Sequence, residues 1–155
     1  MSTIYALFVG INQYHPQSKV PHLAGCVNDV LAFQEFIEDQ YPNVVSKVLL
    51  NEQATRDNFI EAFTNHLIEQ ATEGDTVLLY YAGHGSFSEA ASSFKKYDPK
   101  GQDESFVCYD SRLPGHYDLT DKEIAVLLSR IAAGVHTVLI ADSCHSASVL
   151  SLIHI

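Results

Sequence analysis

Four short apolar runs, separated by segments with helical spacing, constrain the fold of this chain most strongly. The runs cover residues 4–9, 46–50, 76–82 and 137–141. A helix is predicted over 26–40, a second follows an N-cap at Thr55, and a third follows a capping box formed by Thr120 and Glu123. Strands that alternate with helices pair in parallel through right-handed crossovers. The pattern therefore predicts an α/β fold: an open, mostly parallel sheet with helices on both faces.

The remaining segments are less regular. Residues 86–105 are rich in turn-forming side chains and are predicted to form a mobile surface loop, while 106–109 is predicted as a short piece of strand. Gly134 is the expected C-cap of the third helix. A length of 155 residues suits a single domain with a full hydrophobic core.

Charge and cysteine content exclude several classes of function. The formal net charge of −10 argues against nucleic acid or an anionic membrane as the main partner. The three cysteines form no CxxC pair and no disulfide framework, which favours a reducing compartment. The apolar stretch at the N-terminus lacks a basic flank and is too short for a signal peptide or a membrane span. A cytoplasmic location is predicted.

Reactive and flexible residues follow three of the predicted strands directly. Gly10 ends the first, Gly83-His84-Gly85 ends the third, and Asp142-Ser143-Cys144 ends the last. In an open parallel sheet the carboxyl ends of the strands meet at one edge, where ligands bind. We therefore expect these groups to lie close together.

Cys144 and His84 together favour nucleophilic catalysis. A thiol at a strand end is held by rigid backbone yet accessible, and an imidazole can carry a proton to a leaving amine near neutral pH. The backbone N–H groups of Gly85 and Cys144 are candidates for holding an oxyanion. Either residue alone is more simply explained as a core cysteine or a turn histidine, so the prediction depends on both occurring together.

These segments resemble those of the caspase-like cysteine peptidases, and metacaspases in particular. The resemblance is carried by YYAGHGS (80–86) and IADSCHSAS (140–148), with His84 and Cys144 separated by 60 positions, and by LAGCVNDVLAF (23–33) and GQDESFVCYDS (101–111). It implies a caspase-like three-layer sandwich, a catalytic dyad of His84 and Cys144, and an oxyanion hole from the Gly85 and Cys144 amides. Caspases carry Gln-Ala-Cys at the nucleophile, where this chain has Asp142-Ser143-Cys144.

The resemblance also implies a specificity pocket formed by Asp29 and Asp142. Two carboxylates that converge repel each other unless a cation binds between them, so cleavage after Arg or Lys is expected. Each residue has a simpler explanation. Asp29 could be an acid of the first helical turn, stabilised by the helix dipole, and Asp142 could bond backbone N–H groups.

No metal or cofactor is expected to be required, and calcium and zinc are the two metals that the residue types would suit. Many metacaspases need calcium, and the acidic residues of the C-terminal half match no calcium loop: Asp98, Asp103, Glu104, Asp110 and Asp118. Relatives with a calcium site carry a further Asp a few residues past the nucleophile. This chain has Val-Leu-Ser at 149–151 instead, which argues against a calcium site. The zinc candidates Cys144, His145, Cys108 and His116 fit no familiar spacing. Cys26 matches a cysteine near the site in some metacaspases, and is predicted here to be a buried structural thiol.

The end of the sequence gives rise to two expectations. Relatives of this type continue past the nucleophile with two more strands, which form a C-terminal small-subunit segment. Without this segment the pocket is expected to lack one wall, and the last strand is expected to leave an unpaired apolar edge. Residues 150–155, LSLIHI, are the in-frame translation of a common transposase sequencing adapter, so 1–149 is predicted to be an incomplete large-subunit region with a non-native tail. The alternative, a natural large subunit produced by processing, predicts an accompanying second chain.

The sequence thus predicts a cysteine endopeptidase that acts on protein or peptide substrates with basic residues. Without the missing segment, the truncated chain itself could be inactive. The competing hypothesis is a catalytically inactive caspase-like module that binds partners or serves as a scaffold.

Overall fold

The computed structural model describes residues 2–89 and 102–143. The strands are β1 Ile4–Gly10, β2 Val44–Leu50, β3 Thr76–Ala82, β4 Gly85–Glu89, β5 Gln102–Phe106, β6 Leu119–Thr120 and β7 His136–Asp142. The helices are α1 Cys26–Gln40, α2 Arg56–Ala62, which continues as a π-helical segment Phe63–Ile68, and α3 Asp121–Ser129. Short 3-10 turns lie at Pro16–Ser18 and Asn51–Gln53.

Four strands form the central sheet, in the order β2-β1-β3-β7, and all of them are parallel. The register aligns their carboxyl ends: Gly10 pairs with Leu50 and Ala82, and Ala82 pairs with Asp142. The predicted open parallel sheet is confirmed, and the residues that end its strands lie side by side at one edge.

Side chains that alternate along the strands are buried on both faces of this sheet. On one face Phe8 and Tyr80 pack with Val30 and Ile37 of α1. On the other face Leu7, Val9 and Tyr81 of the strands pack with helical side chains. Those of α2 and the π-helical segment are Phe59, Phe63 and Leu67, and those of α3 are Ile124 and Leu127. Burial on both faces explains why the strands are continuous apolar runs. It also confirms that helices cover both faces.

Helix α1 approaches the end of β1 closely. A Cβ on Gly10 would lie 2.8 Å from Val30 Cγ2, so only glycine allows this packing without a shift. The N-cap residue, Gly25, has no capping side chain. Instead Asn12, just beyond β1, accepts a hydrogen bond at Oδ1 from Cys26 N at 2.9 Å. The start of α1 is thereby fixed to the carboxyl edge of the sheet.

The prediction for 86–105 is wrong at both ends of that range. β4 and β5 form an antiparallel hairpin, and β5 pairs with β6 to make a second, three-stranded sheet. The predicted strand at 106–109 is also wrong, because β5 ends at Phe106. Residues 102–105 are polar and contain no apolar run that would predict a strand. The strand is stabilised instead by its antiparallel pairing with β4. Residues 90–101, in the middle of the predicted loop, lie outside the described residues.

The end of α3 also differs from the prediction. The helix begins with the predicted capping box, in which Thr120 Oγ1 accepts from Glu123 N, but it ends at Ser129 with Arg130 as its C-cap. Gly134 is therefore not the C-cap. It adopts a φ of 81° in the turn that leads into β7.

Among the described helices, none is long and apolar enough to cross a lipid bilayer.

Candidate active site

His84 stands in the short connection between β3 and β4, and its backbone is held from two sides. Its N–H donates to Tyr14 Oη at 2.8 Å. Its carbonyl accepts from Val107 N at 3.0 Å and from Tyr81 Oη at 2.7 Å. These bonds join the loop after β1, the end of β3 and the segment after β5 at a single residue. The position of the His84 backbone is thus fixed by the tertiary structure.

The two tyrosines that hold His84 are buried. Tyr14 is 2% exposed and Tyr81 is 0% exposed. Burial raises the pKa of Tyr14 to about 12 and that of Tyr81 well above its ordinary value, so both are neutral phenols at physiological pH. Neither tyrosine was predicted from the sequence to lie at the site. The available signal was a tyrosine at the end of a buried strand, because a buried tyrosine hydroxyl usually has a hydrogen-bond partner.

Gly83 makes room for these hydroxyls. A Cβ at this position would lie 2.6 Å from Tyr81 Oη and 2.9 Å from Tyr14 Oη. Such distances are shorter than any ordinary contact, so glycine is required if the two phenols are to reach the histidine backbone. The glycine before His84 therefore has a packing role that the motif alone did not reveal.

The imidazole of His84 faces a backbone carbonyl. Nε2 lies 2.9 Å from Pro21 O, and the ring packs against the Tyr14 ring with centroids 5.3 Å apart. Because a carbonyl oxygen only accepts, Nε2 carries the proton in this bond. In the neutral ring Nδ1 is then the nitrogen with the free lone pair, and it can accept a proton. The loop that follows β1 thus orients the imidazole and selects its tautomer.

A second group of side chains lies at the same edge of the sheet, on the α1 side. Tyr80 Oη is 3.5 Å from Asp142 Oδ2. Burial, with Asp142 and Asp29 next in effect, raises the pKa of Tyr80 to about 12. The same three causes raise the pKa of Cys26. Both carboxylates therefore act on the same two neighbours, so Asp29 and Asp142 lie in one region of the structure.

Cys26 itself differs from its prediction. Its side chain is only half-buried, although it was expected to be a buried structural thiol. It is the first residue of α1, at the carboxyl edge of the sheet, and packs against the core on one side only. Its acidic neighbours and partial burial both disfavour the thiolate, so it is a poor nucleophile at neutral pH.

The predicted nucleophile, Cys144, lies outside the described residues, as do His145 and the predicted tail at 150–155. The chain is described up to Asp142 and Ser143, directly before the cysteine. At that point Gly83 N donates to Asp142 O at 3.3 Å. The residue before His84 is therefore hydrogen-bonded to the strand end that leads to Cys144.

Gly85 begins β4 with its N–H turned away from the partner strand. Val107 N donates to the carbonyl of His84, one residue before the pair of Gly85 with Phe106. In an antiparallel ladder such a pair is the non-hydrogen-bonded kind, whose N–H groups point outward. The order β4-β5-β6 leaves β4 at the edge of this sheet. The Gly85 amide is thus oriented to donate to another group.

Two of the acidic candidates for calcium, Asp110 and Asp118, make other contacts, and Asp98 lies outside the described residues. Asp118 binds Arg112 through both of its oxygens and also accepts from Ser105. Asp110 accepts from Arg56 N and lies 3.1 Å from His116 Nδ1. Cys108 is fully buried, and burial raises its pKa to about 12. Within 2–89 and 102–143, no three His, Cys, Asp or Glu side chains come together as candidate metal ligands.

Comparison with known proteins identifies the family. A family model described as "Metacaspase, peptidase C14 domain" matches residues 5–153, almost the whole chain. The chain belongs to the metacaspase family. Metacaspases of the C14 class are cysteine peptidases, in agreement with the resemblance found in the motifs.

Two curated metacaspases illustrate the extent of the match. Metacaspase-1 of Pyricularia oryzae is 32% identical over 156 residues, covering 95% of this chain and 37% of the relative. Metacaspase-4 of Arabidopsis thaliana is 30% identical over 152 residues, covering 94% of this chain and 34% of the relative. The chain thus spans little more than a third of the length of either protein.

A solved structure confirms the predicted fold class. The crystal structure of protein GSU0716 from Geobacter sulfurreducens superposes with a TM-score of 0.75 at 27% identity. The superposition covers 97% of this chain and 53% of that protein. The caspase-like α/β architecture therefore extends over the whole metacaspase segment described here.

Proposed function

We propose that the protein is a cysteine endopeptidase that cleaves after Arg or Lys, with Cys144 as nucleophile and His84 as proton carrier. The observation that carries the proposal is the setting of the His84 imidazole. Its Nε2 is bound to Pro21 O, which leaves Nδ1 available, and its backbone is fixed beside the strand end that leads to Cys144. This is the arrangement that a Cys–His dyad needs.

In the proposed acylation step, the Cys144 thiol gives its proton to Nδ1 of His84. The Pro21 carbonyl stabilises the resulting imidazolium through Nε2–H. The thiolate attacks the substrate carbonyl carbon, and the N–H groups of Gly85 and Cys144 hold the oxyanion. The carbon–nitrogen bond then breaks as Nδ1–H protonates the leaving amine, and a thioester remains on Cys144.

Deacylation uses the same groups in reverse. A water molecule gives a proton to Nδ1 of His84 while its oxygen attacks the thioester carbonyl. The carbon–sulfur bond breaks, the acid product leaves, and the proton on Nδ1 returns to the Cys144 sulfur. No step of this sequence requires a metal or cofactor.

The preference for Arg or Lys follows from the carboxylates near Tyr80. Asp29 and Asp142 both raise the pKa of Tyr80 and of Cys26, which indicates a negative potential in that region. A substrate guanidinium or ammonium group would lower the repulsion between the carboxylates, whereas a substrate Asp would increase it. Both side chains are exposed at the edge of the sheet, within reach of a peptide.

We also propose that residues 1–149 form the large-subunit part of a caspase-like domain in the cytoplasm. A C-terminal small-subunit segment would be its partner. β7 is an edge strand of the described sheet, and Val138 and Ile140 on it are only partly buried. An additional strand beside β7 would cover this apolar edge and complete the pocket wall.

A set of three peptides tests the proposal. The protein expressed from its complete gene would be assayed on peptides that differ only in having Arg, Lys or Asp before the cut. We expect cleavage after Arg and Lys, abolished by Cys144→Ala and reduced roughly 10²- to 10⁴-fold by His84→Ala. Preferential cleavage after Asp would overturn the pocket assignment. A folded protein that cleaves none of the peptides would favour the inactive interaction module.

A further inference from the structure

A cavity of about 340 Å³ borders His84 on the side away from the acidic region formed by Asp29 and Asp142. Its lining includes Lys19, Pro21, His84, Gly85 and Arg112. Val107, which also lines it, belongs to the core on the α2 and α3 face of the sheet, whereas Tyr80 of the acidic region belongs to the core on the α1 face. Because Tyr80 and Tyr81 point to opposite faces, the two regions lie on opposite sides of the strand end that carries His84.

The charge of this cavity is opposite to that of the chain as a whole. The protein has 9 Lys and Arg residues against 19 Asp and Glu. Two of the basic residues line this one cavity. Within 2–89 and 102–143, no residue forms an ion pair with Lys19.

Arg112 is held in place at the cavity wall. Its Nε donates to Asp118 Oδ1 at 3.1 Å and its Nη2 donates to Asp118 Oδ2 at 2.7 Å. Asp118 is fixed in turn by Ser105 Oγ at 2.9 Å. These two bonds use two of the five guanidinium N–H donors, so three remain for another acceptor. Arg112 therefore offers oriented hydrogen bonds, while Lys19 supplies a basic group that no described residue pairs.

The loop that carries Lys19 is also anchored. Lys19 adopts a φ of 60° directly after the 3-10 turn Pro16–Ser18. That turn is closed by Ser18 Oγ, which donates to His15 O at 2.6 Å, and His15 N donates to Tyr109 O at 3.1 Å. Two residues later the same loop presents the Pro21 carbonyl to His84. The ammonium group is thus attached to the loop that orients the imidazole.

We propose that this cavity binds an acidic side chain of the substrate on the leaving-group side of the scissile bond. The inference rests on the proposed function, because the histidine that protonates the leaving amine must lie on the side of the departing segment. A cavity that borders this imidazole is then reached by the first residues after the cut. The enzyme would read a basic residue before the cut and a Glu or Asp after it, with Lys19 as the specificity residue.

The inference is tested by measuring the cleavage of three matched peptides by the protein expressed from its complete gene. Each peptide has Arg before the cut, and the residue directly after the cut is Glu, Gln or Lys. An exposed charge pair is worth about 0.2–1 kcal/mol, so kcat/KM should be roughly 1.4- to 5-fold higher for Glu than for Gln and lower again for Lys. The preference should fade in high salt, because exposed charges are screened.

Two charge reversals complete the test. Lys19→Glu should reverse the order of the Glu and Lys peptides and leave the requirement for Arg before the cut unchanged. Lys47→Glu makes the same charge change on the exposed edge strand β2 and should alter neither. Equal cleavage of the three peptides, or an order that Lys19→Glu does not change, would overturn this inference alone. If no peptide is cleaved, the proposed function fails and this inference fails with it.

Discussion

Replacing Gly83 by alanine should destabilise the fold, because the new methyl group would meet two buried hydroxyls. It would lie 2.6 Å from Tyr81 Oη, 2.9 Å from Tyr81 Cζ and 2.9 Å from Tyr14 Oη. Neither tyrosine can yield freely, since both are almost fully buried and both bond the His84 backbone. The clash therefore has to be relieved by moving the rings or the strand end.

The cost follows from two terms. Overpacking a well-packed core by one methyl group costs about 1–3 kcal/mol. Displacing a phenol from His84 weakens at least one hydrogen bond, at about 0.5–1.5 kcal/mol. We expect Gly83→Ala to lower the free energy of unfolding by about 1.5–4.5 kcal/mol, which corresponds to a drop in Tm of roughly 3–18 °C for a domain of this size.

Urea unfolding followed by far-UV circular dichroism measures this change directly, with the m-value expected to stay constant. Gly25→Ala is the matched control. Gly25 has a φ of −110°, and its nearest neighbour to a new Cβ is Asp29 Oδ2 at 4.0 Å, so a loss below about 1 kcal/mol is expected. If Gly83→Ala were as mild as the control, the tight packing of the two phenols on Gly83 would be refuted.

Three further substitutions test other parts of the structure. Tyr14→Phe removes the acceptor of the partly buried His84 N–H and should cost about 0.5–1.5 kcal/mol in the same urea assay, whereas an unchanged midpoint would show that this bond contributes nothing. Asp142→Asn removes a negative charge that raises the pKa of Cys26, so Cys26 should be alkylated faster at pH 8, as measured by peptide mass mapping. An equal rate would show that Asp142 does not act on the Cys26 thiol. Backbone N–H groups hold the pKa of Asp75 below its ordinary value, so the stability it contributes is present at neutral pH and is lost as the pH falls through its folded pKa. Asp75→Asn should be less stable at pH 7 and lose less stability between pH 5 and pH 2, and pH–stability curves that run parallel would contradict this.

The sheet and its helices could be predicted because their signals are local. A strand buried on both faces is a continuous apolar run, and Thr55 and Thr120 mark helix starts through side-chain hydrogen bonds to their own first turns. The hairpin of β4 and β5 has no comparable signal. Its residues are largely polar, and the strands depend on pairing between segments separated by the undescribed 90–101.

The candidate site divides in the same way. The contact of Gly83, the residue before His84, with Asp142 followed from a general rule, since parallel strands bring their carboxyl ends to one edge. The partner of the imidazole, Pro21 O, could not be predicted, because a backbone carbonyl leaves no mark in the sequence. The same holds for Tyr14, which reaches a residue 70 positions away and is placed by the tertiary fold.

The central claim is that Cys144 is a nucleophile activated by His84 beside a pocket for a basic side chain. The most direct measurement is covalent labelling of the protein with peptidyl acyloxymethyl ketones that end in Arg or in Asp, followed by mass mapping of the modified residue. We predict one adduct, on Cys144, formed by the Arg reagent and lost in His84→Ala. An adduct on Cys26, or equal labelling by the two reagents, would contradict the account.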